Sequence, residues 1–192
     1  MGHESVEAVR QPISVGPAAR RRLQESVAVH VPSLLALVVR ALLKLRPDSR
    51  LRRAFVRRVV QLGIEAANRR DYEAAFGLYD ARVELVVPHG LTAVGFEPLV
   101  HGRDDRLRFE QRWRAEWGDF SYAPQELIDL GTRILVAGRV TGSGPASGAA
   151  FEAEWAALFT VSAGRVVHEH VFLDRAEAYA AVGLPRGGST NR

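Results

Sequence analysis

Between residues 33 and 45 the polar positions Ser33, Arg40 and Lys44 recur at helical spacing among leucines and valines, so the pattern predicts a helix that is apolar except for one narrow wet stripe. Such a helix must bury most of its surface. Pro47 ends it, and Asp48 or Ser49 is placed to cap the next helix. There Leu51, Phe55, Val59, Leu62 and Ala66 form an apolar stripe opposite Arg50, Arg53, Arg57, Gln61 and Glu65, a solvated face. Asp71 is placed to cap a short helix running to Leu78, and the valine-rich stretch 82–87, stopped by Pro88, predicts a strand. After a Gly/Pro-rich loop, Gly102 introduces a third long helix. On it Phe109, Trp113 and Trp117 stand four apart on one face, and Glu110 and Arg114 form an i, i+4 pair. Strands are then predicted at 121–130, 134–141, 151–161 and 165–173. Asp174-Arg175-Ala176-Glu177 makes a box-like cap for a final helix ending at Gly183. Helices first and an antiparallel meander last imply an α+β layer arrangement, with the helices on one face of a curved sheet.

Alternation on the strands decides which side chains face the helices. In 151–161 the set Phe151, Ala153, Trp155, Ala157, Phe159 and Val161 faces inward. If Ser162-Ala163-Gly164 is a three-residue hairpin loop with Gly164 left-handed, Val161 pairs with Arg165 and Glu169 lies opposite Ala157. Val167, Glu169, Val171 and Leu173 then point inward, with His168, His170 and Phe172 on the convex face. A two-residue turn would reverse this assignment.

Composition narrows the class. The 192 residues suit one domain and an appendage. No apolar run approaches the roughly 20 residues of a membrane-spanning helix, which excludes an integral membrane protein. With zero cysteines there is no disulfide framework, thiol nucleophile or cysteine-ligated metal, and no early apolar segment with a cleavage site is present, so a cytoplasmic setting is expected. The net charge of +4 hides an asymmetry, since residues 1–70 hold 14 Arg/Lys against 5 Asp/Glu and the remainder 12 against 17. The basic front suits nucleic acid, anionic lipid or the chain's own acidic body. Arg20, Arg21 and Arg22 and the arginines of 50–58 are the candidates, with no interleaved aromatics for base stacking. No specific nucleic acid is therefore expected as a partner.

Gly164-Arg165-Val166-Val167, then Leu173-Asp174-Arg175-Ala176-Glu177-Ala178 and Val182-Gly183-Leu184, resembles the closing motif of SnoaL-like proteins. Ala67-Asn68-Arg69-Arg70-Asp71, Leu78-Tyr79-Asp80, His101-Gly102-Arg103-Asp104 and Glu126-Leu127-Ile128-Asp129-Leu130-Gly131 are similar to the same family in order and spacing. The resemblance implies a nuclear transport factor 2-like (cystatin-like) α+β cone with an N-terminal helical extension. It covers 50–184 as the SnoaL-like domain; the aperiodic Gly/Pro/Ser/Arg front is expected to be a mobile arm at 1–31, followed by an extension helix at 32–49, with a flexible tail at 185–192. The resemblance also implies a pocket for a small apolar or aromatic metabolite and a homodimer through the sheet face, without a cofactor. Lyase, isomerase or hydrolase activity is open, and a non-catalytic homodimeric module is the alternative.

The residues that carry the family's reactions are displaced here. Val171 stands where cyclases and epoxide hydrolases of the family keep a working aspartate. Arg139-Val140-Thr141 keeps the cation of an Arg-x-Asp pattern and loses its carboxylate. Gly63, Val87 and Ala157 fall approximately where ketosteroid isomerases keep their tyrosine, base and proton-donating acid. The catalytic candidates left are Glu169 and Arg139. An unpaired Glu169 beside Trp155 and Phe159 is a general acid or base, whereas a salt bridge to Arg139 across the pocket, the preferred reading, keeps both charged. Trp113, Trp117, Trp155, Ala157, Phe159 and Val171 are the expected pocket lining. His168 and His170 share a strand face, but without a clear third ligand no metal is expected.

Overall fold

The structure, a computed structural model, describes residues 8–16, 32–143 and 148–185. In chain order the elements are β1 (Val9–Pro12), α1 (Pro32–Leu42), α2 (Arg50–Asn68), α3 (Tyr72–Ala75), β2 (Tyr79–Val86), α4 (His89–Thr92) and β3 (Leu99–His101). There follow α5 (Arg103–Trp117), β4 (Asp119–Leu130), β5 (Arg133–Ser143), β6 (Ala150–Ser162), β7 (Arg165–Phe172) and α6 (Arg175–Ala181). The strands form one sheet in the order β1-β4-β5-β6-β7-β2-β3, antiparallel except where β2 runs parallel to β7. The expected α+β cone is what forms, helices packed against a curved open sheet. Among the described residues no helix is long and apolar enough to cross a membrane.

Each face of the sheet has its own core. On the concave face Leu127, Val136, Ala157 and Val171 meet Val56 and Ile64 of α2 and Phe109 and Trp113 of α5. On the convex face Ile128, Leu135, Leu158 and Phe172 are covered by Ala178 and Tyr179 of α6. Two of the three expected caps form, while Ser49 stands at the N-cap of α2 without a side-chain hydrogen bond. The Asp71 carboxylate accepts from the Ala74 N–H at 3.4 Å, and that of Asp174 from the Ala176 N–H at 2.6 Å.

The β6–β7 hairpin differs from the expected register by two residues. Ser162 pairs with Arg165, so the turn has two residues, Ala163 (φ 51°) and Gly164 (φ 81°), the paired positive φ angles of a tight hairpin turn. Such a turn by itself reverses which side chains face the helices. A β-bulge follows immediately: Val161 pairs with Val166 and Thr160 with His168, leaving Val167 as the extra residue, and the bulge reverses the faces a second time. Glu169 therefore lies opposite Phe159 and still points into the cone, with Val171 opposite Ala157.

Residues 9–12 fall in the segment expected to be a mobile arm and instead form an edge strand on β4. Val9 pairs with Asp129, Pro12 sits at the last edge position where it has no ladder bond to donate, and Ile13 is buried against the concave core. Residues 1–7 and 17–31, including Arg20, Arg21 and Arg22, and the tail from 186 onward lie outside the described residues.

The extension helix α1 leans on the hairpin turn. A Cβ at Gly164 would come 1.9 Å from the Ala36 carbonyl oxygen, so only glycine lets α1 approach this closely. The connection from α1 into α2 is tied down by Arg52. Its guanidinium makes a two-pronged ion pair with Asp129 (2.8 and 2.7 Å) and donates to the carbonyls of Leu43 and Leu45 beyond the end of α1 and of Gly131 in the β4–β5 turn. Both charges are fully buried, and the extra carbonyls satisfy the N–H groups that the carboxylate leaves over.

Candidate functional site

α2, α3 and α5 stand over the concave face without filling it, and between them lies a cavity of about 430 Å³. Most of its wall is apolar, built from Phe55, Val59, Val60, Leu62, Ile64, Leu78 and the aromatic rings of Phe109, Trp113, Trp155 and Phe159. Gly63 contributes open space, since a Cβ there would meet nothing nearer than the Ala75 carbonyl at 3.9 Å.

Besides Arg58, the charged residues of the wall are Arg106, Glu110 and Glu169, which with Arg114 behind them form a cluster of four buried charges. Arg106, Glu110 and Arg114 follow one another at four-residue spacing on α5, on the face that also carries Phe109 and Trp113, so the fold draws all three inside. Glu169 meets them from β7. Arg106 grips Glu169 with two prongs, Nε to Oε2 at 2.7 Å and an outer nitrogen to Oε1 at 3.2 Å, and reaches Glu110 with its other nitrogen at 3.2 Å. Arg114 donates to Glu110 at 3.2 Å and to the carbonyls of Phe120 (2.9 Å) and Ala67 (3.0 Å). The Tyr79 hydroxyl donates to Glu169 at 3.1 Å, and that of Tyr122 to both oxygens of Glu110 at 3.2 Å. Two guanidiniums and two carboxylates sum to zero, and each is hydrogen-bonded, the condition under which charge survives burial.

This environment also fixes protonation. Burial works to lower the Arg106 pKa, and the carboxylates of Glu169 and Glu110 outweigh it, leaving that pKa well above its ordinary value. Burial raises Tyr79 well above its ordinary range and the Glu169 charge raises it further. Tyr122 is raised in the same way, by burial first and then by Glu110. Both phenols are therefore donors at neutral pH.

Of the residues expected at the site, Trp113, Trp155, Phe159, Glu169 and Val171 line the cavity. Ala157 is fully buried in the concave core behind the wall. Trp117 is 39% exposed at the last position of α5, one turn beyond Trp113, where it stacks on Trp113 and meets the edge of Phe151. Arg139 is not in the cone. Its position on β5 shares the outer face with Leu135 and Ala137, and its guanidinium pairs with Glu152 at 2.9 Å. The expected Arg139–Glu169 bridge does not form because the two side chains lie on opposite faces of the sheet, and Arg106 takes its place. Tyr79, Tyr122, Arg106 and Glu110 were not anticipated. The signal that points to the last two is the fourfold spacing of Arg106, Glu110 and Arg114 in step with Phe109 and Trp113, which marks a buried ion-pair ladder.

His168 and His170 lie on the outer face of β7, away from Glu169, and burial followed by the neighbouring His168 lowers the pKa of His170. Among the described residues no group of three or more His, Cys, Asp or Glu side chains is placed to hold a metal ion.

Residues 60–169 match the model of the SnoaL-like domain family. No curated protein matches the chain. Among solved structures, an NTF2-like protein of unknown function from Burkholderia pseudomallei is similar at 24% identity, with 64% of this chain and 93% of that one covered and a TM-score of 0.56. TerC co-crystallised with polyporic acid is similar at 19% identity, with 66% and 96% covered and a TM-score of 0.56. A protein with a ketosteroid isomerase-like fold from Catenulispora acidiphila, in complex with trimethylamine, is similar at 16% identity, with 66% and 93% covered and a TM-score of 0.51. These likenesses are likenesses of fold.

Proposed function

The chain belongs to the SnoaL-like family, and from that premise we propose that it binds a small, mainly apolar or aromatic metabolite in the cavity of the cone. The observation that carries this reading is a mainly apolar cavity of about 430 Å³, within the range of small-molecule sites, whose charged lining is the buried Arg106, Glu110 and Glu169 together with Arg58. Phe109, Trp113, Trp155 and Phe159 supply flat surfaces for a ring system. Arg106 spends three N–H groups on carboxylates, and of the five a guanidinium carries, two remain to meet an oxygen on the ligand. That small molecules were captured with proteins of similar fold, polyporic acid with TerC among them, supports the same reading.

In this reading Glu169 holds Arg106 and Tyr79 in place at the polar end of the site, and Arg139 has no part in it. A proton-transfer role for Glu169 is the sharper alternative within the same site, and lyase, isomerase or hydrolase chemistry would run through it. Two of the three tryptophans, Trp113 and Trp155, line the cavity, so intrinsic fluorescence reports its occupancy. Titration with flat aromatic and alicyclic ketones is expected to quench it saturably. A panel of such compounds that leaves both fluorescence and melting temperature unchanged would refute the proposal. Against a bound compound that is turned over, Glu169→Gln abolishing turnover with affinity preserved would move Glu169 from a positioning to a catalytic role.

A homodimer through the outer sheet face is the second reading. It is favoured by the strip that α6 leaves uncovered, where the exposed Arg139–Glu152 pair and the half-buried His168 and His170 offer self-complementary polar contacts. Sedimentation velocity across a concentration series decides it, a monomer at every concentration being the outcome against it.

A further inference from the structure

α1 has three faces where an ordinary amphipathic helix has two. Leu35, Ala36 and Val39 turn inward: Leu35 reaches the cavity wall, Ala36 lies on Gly164 and Val39 joins the concave core. Ser33, Arg40 and Lys44 form the polar stripe. The remaining side carries Leu34, Leu37, Val38 and Ala41, continued by Leu45, at spacings of three and four that place them on one stripe. It is open, with Leu34 53%, Leu37 60% and Val38 40% exposed. A lone exposed leucine needs no explanation, whereas a continuous stripe on a helix does.

The surroundings indicate what covers it. From residue 33 to 58 the sequence has eight Arg/Lys and a single acid, Asp48. Arg52 is committed to Asp129 inside the protein, while Arg40, Lys44, Arg46, Arg50, Arg53 and Arg57 are exposed. An apolar stripe with Arg40 and Lys44 along one edge, in a segment rich in further exposed cations, matches an anionic lipid surface, in which acyl chains and phosphates lie a few ångströms apart. A second copy would set this cationic rim against itself. Nucleic acid would use the cations but leave the leucines in water.

We infer that α1 docks on an anionic phospholipid surface, with Leu34, Leu37 and Val38 entering the headgroup boundary and Arg40 and Lys44 meeting lipid phosphates. At 11 residues α1 is too short to span a bilayer, so it lies in the plane of the interface and binds reversibly. Leu35 on the same helix lines the cavity, so docking brings that wall beside the acyl region. Entry of an apolar ligand from the bilayer rests on the proposed function, whereas docking itself does not.

The chain has no cysteine, so Leu37→Cys labelled with a nitrobenzoxadiazole fluorophore reports on this face alone. Vesicles of phosphatidylcholine containing phosphatidylglycerol are expected to shift the emission to the blue and to co-sediment with the unlabelled full chain, and phosphatidylcholine alone to do neither. Raising salt from about 0.05 to about 0.5 M is expected to weaken binding by about tenfold or more, as is the Arg40→Glu/Lys44→Glu pair. Leu34→Ser/Leu37→Ser is expected to abolish binding with the melting temperature unchanged, because both side chains already face solvent. No blue shift with anionic vesicles, or binding that survives the serine pair, overturns the inference. So does a probe already blue-shifted before vesicles are added, which would assign the face to the chain itself or, if it depends on protein concentration, to a second copy. Failure of every cavity ligand leaves these outcomes untouched.

Discussion

Glu169 accepts three hydrogen bonds inside the cone, two from Arg106 and one from Tyr79, and these bonds make the cluster sensitive to alkali and indifferent to mild acid at its phenols. Burial and then the carboxylate charges raise Tyr79 and Tyr122 well above their ordinary pKa. Tyr179, on the other face, is pushed up to about 12 by burial and by its hydrogen bond to Glu126. In the unfolded chain these tyrosines ionise near their ordinary value of about 10. Below that pH both states keep the protons and the stabilisation is complete. As pH rises from about 10 through the folded values, the unfolded state has released protons the folded state still holds, so stability falls. The urea midpoint is accordingly expected to drop steeply between about pH 10 and 12, and less steeply in Tyr79→Phe and Tyr179→Phe. A midpoint unchanged across that range would contradict the assignment. The inward position of Glu169 follows from alternation only once the register is fixed, and the register expected from a three-residue loop does not form: the two-residue turn and the bulge at Val167 each reverse the faces, and the two reversals cancel. The partner of Glu169 was not legible in the sequence, since choosing Arg106 over Arg139 requires knowing that β5 turns Arg139 outward while the Arg106 side chain of α5 reaches β7.

The β6–β7 hairpin and α1 are one mechanical unit at the scale of elements. The two-residue turn and the bulge at Val167 together put Glu169 inside, and the turn's glycine receives the Ala36 carbonyl of α1. Gly164→Ala adds a Cβ at 1.9 Å from that oxygen in a residue with φ 81°, so both the turn and the helix docking are strained. The expected cost is about 1–3 kcal/mol, with α1 becoming the segment most readily cleaved by protease. A variant as stable and as protease-resistant as the parent would show that α1 does not depend on this contact. The sequence carries the glycine and the alternation plainly. It does not announce the bulge, because one extra residue leaves no mark in a Val-Val pair. Nor does it announce β1, because a four-residue strand containing a proline is too short to show a period. The long apolar run of α1 demands burial, and only the packed molecule shows that part of the demand is left unmet.

At the scale of the whole molecule, the cavity is space that the core could have filled. Gly63 sits in the interior of α2, where glycine is the poorest helix former short of proline, and opens directly onto that space. Alanine fits there, its Cβ meeting only the Ala75 carbonyl at ordinary contact distance. Gly63→Ala is therefore expected to raise stability by about 0.5–1 kcal/mol through helix propensity alone. Gly63→Leu would place a branched side chain into the cavity, its Cβ beside the Ala75 carbonyl. If the cavity is the ligand site, it should keep the fold while eliminating the tryptophan quenching by flat ketones. Ligand binding that survives Gly63→Leu would place the ligand elsewhere, and then the void in the cone would have no part in recognition. The two substitutions thus separate what the cone needs in order to fold from what it keeps open for an occupant. Because Gly63 opens onto the cavity while Leu34 and Leu37 are exposed on the outside of α1, Gly63→Leu should also leave vesicle binding intact, which makes it the natural control for any variant of Leu34 or Leu37.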